Sequence, residues 1–473
     1  MVAGPVSAGT GTSVGAHGTP LRPDPRCGVR GRPGVLVILA HGVGGQAELP
    51  VEPWLLAYSA AFALLFTFAA LRLLWPGPRL AAAADGRILP SPLGTAGSAL
   101  GTVAQVGALV LFAVTMAAAW FGEEVASANL APTALFVAFW VGVPVASAVV
   151  GDVWRRINPL WTVASGLDRL RGRDPGTSTA TGWWATHWPA ALGLLAFHWL
   201  ELAYFEPASV TAVAVFLSGH VVVVLVAASR FGAGWVRTGD GFAVLFHLLA
   251  ALAPVHRDDQ GRLRLRSPVA GLATVVVRPG TLAVVVVVLG GTIFDGVTRT
   301  GWWGDVVGGR RGWDLTLVAT IGLLLTIATV SVAHLLAVRA LGVLAGDDGD
   351  LTEQGLRWVP SLIPVVLGYV IAHHFSSLVF EGQGFVALLS DPLGSGRDLF
   401  GTAGDTIDLT VVSADQVTWV QVAALVVGHV AALVAVHDRA VARYPLRRAV
   451  TSQYPMLAVL IASVVAAILL LVG

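Results

Sequence analysis

Histidine recurs near the middle of five apolar stretches of this chain: His198 with Glu201 three residues on, His220, His334, the adjacent pair His373 and His374, and His429. Ionisable residues in the hydrocarbon region of a membrane are costly and usually face a bundle interior, which makes each a candidate functional group. Neutral imidazoles from several helices plus one carboxylate suit zinc, copper or non-haem iron. Pairs of histidines on different helices suit haem iron equally, and the same groups can relay protons. His198 and Glu201 share a helix face, so Glu201 can ligate a metal, orient its neighbour or act as general base for a bound water. The expected metal set is His198, Glu201, His220, His374 and His429, with Glu201 also the catalytic candidate. His334, His373, Asp295 and His41 are additional candidates. Each imidazole also has a purely structural use, hydrogen bonding across helices to Ser218, Ser376, Ser377 or backbone.

Composition fixes the elements that must position these groups. Hydrophobic residues make up 55% of 473 and charged residues 12%, and the mean hydropathy is +0.76, far from the range of ordinary soluble domains. The expected fold is therefore all-α, a polytopic transmembrane helix bundle in the cell membrane, with the lipid bilayer as its first partner. A net charge of +1 gives no electrostatic footprint for a nucleic acid. Cys27 is the single cysteine, which excludes an internal disulfide and a multi-cysteine metal site. No Walker loop, dinucleotide fingerprint or zincin helix is present.

Runs of about 20 apolar residues can cross a bilayer, and about ten are legible. They lie near Trp54 to Trp75, Leu100 to Phe121, Ala131 to Val150, Trp188 to Phe205, Val210 to Ala228, Thr281 to Val297, Leu315 to Leu341, Val359 to Phe380, Val417 to Val436 and Pro455 to Val472. With the loop after the first span inside, only Arg299, Arg310, Arg311 and Arg397 of the arginines beyond residue 33 fall outside. This positive-inside asymmetry predicts both termini outside. Phe242 to Pro254, too short to span and flanked by arginines, reads as a re-entrant or interfacial cytoplasmic helix. The Trp-rich, basic strip Asp152 to Trp161 reads as a phosphate-headgroup anchor.

Residues 1–33 are Gly, Pro, Ala and Arg rich and aperiodic, the pattern of a disordered leader or of a start set too early. Residues 34–51 form a short apolar segment and an outer loop, and 52–473 a single transmembrane domain. Gly34 to Ala40 resembles a signal h-region; cleavage after Ala40 would make His41 an N-terminal copper ligand. Glu381 to Gln416 reads as an outer loop, rich in turn residues, that packs as a lid over the outer mouth.

Gly219-His220-Val221 followed by Arg230 matches Gly428-His429-Val430 followed by Arg439, each histidine ten residues ahead of its arginine. Each motif follows a helix with histidine in its middle, Phe197-His198-Trp199 and His373-His374-Phe375. The pattern predicts a parallel internal hairpin repeat around a central site. At about 1.5 Å per residue, His198, His220 and His429 fall roughly 15–18 Å into their spans and share a level.

Several of these segments carry a resemblance to a family. His41-Gly42-Val43-Gly44-Gly45, Leu49-Pro50, Pro53-Trp54, Asn158-Pro159-Leu160-Trp161, Phe197-His198-Trp199-Leu200-Glu201, His373-His374-Phe375, Ser390-Asp391-Pro392-Leu393-Gly394 and Asp398-Leu399-Phe400-Gly401-Thr402 look like those of actinobacterial multipass membrane proteins described as fenitrothion hydrolase-like. The likeness covers roughly residue 35 onward. It implies a membrane-bound hydrolase of organophosphate esters, acting on a small-molecule substrate with a second membrane subunit, and it supplies no catalytic residues. Together with the histidines it favours a transition-metal-dependent hydrolase of phosphoester-like substrates, zinc or copper as the metal. The alternatives are a haem- or copper-binding redox protein and a metal- or proton-coupled transporter.

Overall fold

The computed structural model describes residues 51–90, 96–258 and 260–472. Contacts divide the chain after Val37, and all described residues belong to the second unit. The leader, Cys27 and His41 lie outside them.

Twelve helices carry the architecture. They are α1 Pro53–Leu74, α2 Ala96–Phe121, α3 Leu130–Val150, α4 Pro159–Leu170, α5 Trp188–Leu202 and α6 Val210–Phe231. The second half holds α7 Gly241–Ala250, α8 Thr281–Thr298, α9 Gly312–Ala345, α10 Ile363–Ser390, α11 Ala414–Arg443 and α12 Tyr454–Val472. Among the described residues nine helical segments are long and apolar enough to cross a membrane, so the chain is a multi-pass helical membrane protein. The tenth expected span is the exception. Its helix α5 has 15 residues, a rise of about 22 Å against a hydrocarbon core near 30 Å. Pro189 opens it, and His198 and Glu201 dilute its apolar character. A small antiparallel sheet is the only strand structure among the described residues: β1 Arg87–Ile88, β2 Val255–Arg257 and β3 Leu263–Leu265, in the order β1-β3-β2.

The helix α8 is the axis of the bundle. Its residues from Val284 to Thr292 are buried without interruption, and it contacts α5, α9, α10 and α12. A helix apolar all round is a helix surrounded by protein or lipid; here it is protein. By contrast α6 and α9 expose Val215, Val222, Val223, Val226, Leu317, Leu325 and Leu336, the pattern of lipid-facing surface.

The pair α10 and α11 is drawn together by glycine. A Cβ at Gly368 would lie 2.7 Å from the Ala424 carbonyl oxygen, and one at Gly428 2.6 Å from that of Pro364. Small residues let helix backbones approach where no hydrophobic drive exists between lipid-solvated helices, and this approach places His429 and His373 on neighbouring turns of the core.

Two further segments refine the expectation. The ten-residue α7 is an interior element, with Phe242, Val244, Leu245, Phe246, Leu248 and Leu249 all buried against α3 and α5; of the two expected placements, this burial fits the re-entrant one and not the interfacial one. The outer loop shrinks, because α10 continues through Glu381 to Ser390. The apolar run Phe385 to Leu389 sustains the helix until Asp391-Pro392 stops it. Beyond that, Ser390 Oγ donates to Asp398 Oδ1 at 2.6 Å and accepts from Phe400 N at 2.8 Å. The loop joins the turn between α2 and α3 through Glu123 N to Leu393 O and Leu130 N to Pro392 O.

In α3 the middle, Ala134–Gly142, is π-helical. Pro144 has no N–H to return to the preceding turn, and wide turns of this kind recur beside functional sites. Trp140, from this stretch, reaches the site described next.

Candidate functional site

His198 is fixed before it meets any partner. Its Nδ1 lies 2.9 Å from the Leu194 carbonyl, which accepts only, so Nδ1 carries the proton and the Nε2 lone pair points away. Its ring stands edge-on to Trp140 at 5.2 Å and lies against Gly291 of α8, where an added Cβ would come 2.0 Å from Cδ2 and 2.8 Å from Nε2. The residue at 291 must be glycine for this imidazole to pack.

One turn further along α5 is Glu201, buried, with no hydrogen bond or ion pair to any described residue. Both line a cavity of about 10 Å³ shared with Trp140, Thr292, Asp295 and His374. That is about the volume that holds one water. Three helices supply its polar groups: α5 gives His198 and Glu201, α8 gives Thr292 and Asp295, α10 gives His374.

Asp295 is the best anchored of them. Its Oδ2 accepts from Arg299 NH2 at 3.0 Å and lies 3.1 Å from His373 Nδ1. Adjacent on one helix, the two histidines of α10 therefore take different tasks: His374 faces the cavity and His373 holds Asp295 from behind. From His373 the polar seam continues through Tyr369, ring centroid 6.5 Å away and nearly parallel, to His429 at 5.9 Å from Tyr369. There it ends: His429 Nδ1 donates to Leu425 O at 2.7 Å, and Nε2 lies 2.9 Å from Ser463 Oγ of α12.

The expected five-residue metal set does not assemble. His198, Glu201 and His374 reach one cavity, whereas His429 faces Ser463. His220 lies beyond two aromatic rings, since Phe197 sits beside His198, Phe242 beside Phe197 and His220 beside Phe242, with successive ring separations of 5.7, 5.3 and 5.3 Å. Equal depth does not imply convergence when the rings between are this large. His220 instead places Nε2 3.5 Å from Asp240 Oδ1. His334 is buried further along α9. Two imidazoles and two carboxylates are a reasonable donor set for a transition metal, but among the described residues no three His, Cys, Asp or Glu side chains converge to hold one.

The sequence marks Asp295 only as an additional candidate and does not single out Arg299, Tyr369 or Trp140 as site residues. The i,i+4 spacing of Asp295 with Arg299 and of Tyr369 with His373 was the available signal. In comparisons with family models, curated proteins and solved structures, nothing matches this chain.

Proposed function

We propose that the chain is a proton-handling membrane protein, a proton-coupled transporter in the cell membrane, whose exchangeable proton resides on Glu201. The observation that carries this reading is a buried, water-sized cavity lined by two carboxylates and two imidazoles, in which only Asp295 has a cationic partner. An unpaired charge in such a place is too costly to keep, so Glu201 holds either a proton or a passing cation. The His198 Nε2 lone pair and His374 line the same cavity as Glu201, and Asp295, clamped by Arg299 and His373, supplies a fixed negative field. A volume of about one water speaks for a proton or small ion rather than a phosphoester substrate. Infrared difference spectroscopy of the purified protein across a pH titration tests it. A carboxylic-acid carbonyl band that is lost in Glu201→Gln supports the reading; a spectrum unchanged by that substitution overturns it.

A resident transition metal, serving hydrolysis or redox chemistry, is the second reading. It is favoured by the His198 tautomer, which presents Nε2 as metal-binding imidazoles do when Nδ1–H is held by a carbonyl. Stoichiometric metal in protein purified without chelator, lost in His198→Ala, would replace the first reading with this one.

The topology belongs to the same proposal. Counting α5 as a crossing gives ten spans with both termini outside, supported by the arginine distribution. The hairpins α5–α6 and α10–α11 are one duplicated unit, supported by His198 and His374 reaching a common cavity from either side of α8. A reporter fused after Gly473, scored for its side of the membrane, tests the orientation.

A further inference from the structure

A second polar cavity lies apart from the histidine site, around the segment that joins α3 to α4. It measures about 110 Å³ and is lined by Asp152, Arg155, Asn158, Trp161, Arg237 and His247. The Arg237 guanidinium lies 5.1 Å from the centre of the Trp161 ring. Arg237 Nε and Trp161 Nε1 are both buried, and neither donates to any described residue. Asp152 is the only acid of the lining, and it is already engaged by His247 Nδ1 at 2.7 Å and by the Arg155 backbone N–H at 3.0 Å. Burial first, and then the charge of Arg155, make the Arg237 proton easier to lose, as expected where two guanidinium groups share one space with too little negative charge.

Buried donors without acceptors are rare in folded proteins and ask for a partner. Two guanidinium groups with a spare indole N–H suit a tetrahedral oxyanion, whose oxygens accept from forked donors. The adjoining cavity says which oxyanion. Its volume is about 170 Å³, and its walls include Ala108, Leu111, Ala138, Phe139 and Phe216, a space comparable to the apolar cavity of about 150 Å³ that takes a benzene ring. The two cavities are built from the same segments: Trp154, Ile157 and Leu160 face the apolar one, Arg155, Asn158 and Trp161 the basic one, and Phe242 and Ala243 divide likewise.

We propose that these paired cavities bind a lipid phosphate, the phosphate held by Arg155, Arg237 and Trp161 and a short stretch of one acyl chain lodged in the neighbouring cavity. The inference stands apart from the proton site and does not depend on it. Native mass spectrometry of the full chain in neutral detergent tests it, with dioleoyl phosphatidate, dioleoylglycerol and inorganic phosphate as probes. Phosphatidate is expected to remain bound where dioleoylglycerol does not, and Arg155→Gln with Arg237→Gln is expected to weaken binding by about tenfold or more. Ala138→Trp, which fills the apolar cavity without changing charge, is expected to weaken phosphatidate binding as well. Unaltered binding in the double arginine variant overturns the proposal, as does equal retention of dioleoylglycerol. Complete displacement of phosphatidate by inorganic phosphate overturns the lipid and leaves a site for the free anion. Should the double variant not fold, Arg155→Gln alone, at an exposed position, carries the same test.

Discussion

The contact between His198 and Gly291 gives the sharpest test of the site's construction. Gly291→Ala puts a methyl group 2.0 Å from His198 Cδ2, where ordinary contact begins at 3.4 Å, so the ring must retreat by more than about an ångström. It has nowhere to go without loss, because Trp140 stands on another side and Nδ1 is held by Leu194 O. Giving up that hydrogen bond costs about 1 kcal/mol, and forcing a methyl into a packed interior adds about 1–3 kcal/mol. The expected destabilisation is therefore about 2–4 kcal/mol. In a His198→Ala background the obstructing ring is gone, and the better helix propensity of alanine makes Gly291→Ala neutral or stabilising by up to about 1 kcal/mol. A double-mutant cycle on thermal or denaturant unfolding in detergent should then return a coupling of about 3 kcal/mol. Equal costs in the two backgrounds would refute the placement of the imidazole against α8, and with it the geometry of the cavity.

Three further outcomes are expected. His187 precedes α5 and donates Nδ1–H to Thr281 Oγ1 at 2.9 Å, that hydroxyl having already given its proton to Arg278 O. Burial, and then Arg278, depress its pKa from 6.5 to about 4, so its neutral form contributes up to about 3 kcal/mol above pH 6.5 that is lost as pH falls toward 4. The melting temperature of the parent should fall through this window, and more steeply than that of His187→Gln. Asp438 accepts from Trp75 Nε1, Arg79 N and Leu80 N, at 3.0, 2.6 and 3.2 Å; Asp438→Ala orphans all three and should cost about 3 kcal/mol in unfolding experiments. Gly428→Ala, which brings a methyl against the Pro364 carbonyl, should cost about 2 kcal/mol and loosen α10 from α11, seen as faster hydrogen exchange in both helices.

The apolar runs gave away nearly all of the long helices, because a segment that must satisfy its backbone inside lipid has few options besides a helix of sufficient length. Where the reading failed, residues of mixed character were responsible. In α5 the same His198 and Glu201 that marked a site also lowered its apolar content, and the helix proved too short to count as a span on length alone. The site was half legible. His198 with Glu201 was readable from spacing, and His374 from its place inside an apolar run; but depth alone cannot show which way a helix is turned, and Phe197 and Phe242 hold His220 away from a cavity at its own level. Asp295 stood only among the additional candidates, whereas Arg299 and His373 hold it in the interior. The Arg299 contact is an i,i+4 pair within the end of α8, whereas the His373 contact joins α8 to α10, and no local pattern announces that one.

The enclosure of α8 bears on how the molecule moves. Its amide groups sit behind other helices on nearly every side, so opening them requires the bundle itself to come apart, and their exchange with solvent should be the slowest in the chain. The floor of the cavity, carrying Asp295, thus belongs to the most protected part of the fold. The opposite wall is α5, short and joined to α6 by the few residues between Leu202 and Val210. Of the helices that line the cavity, α5 is the shortest, so hydrogen exchange is expected to be faster there than in α8.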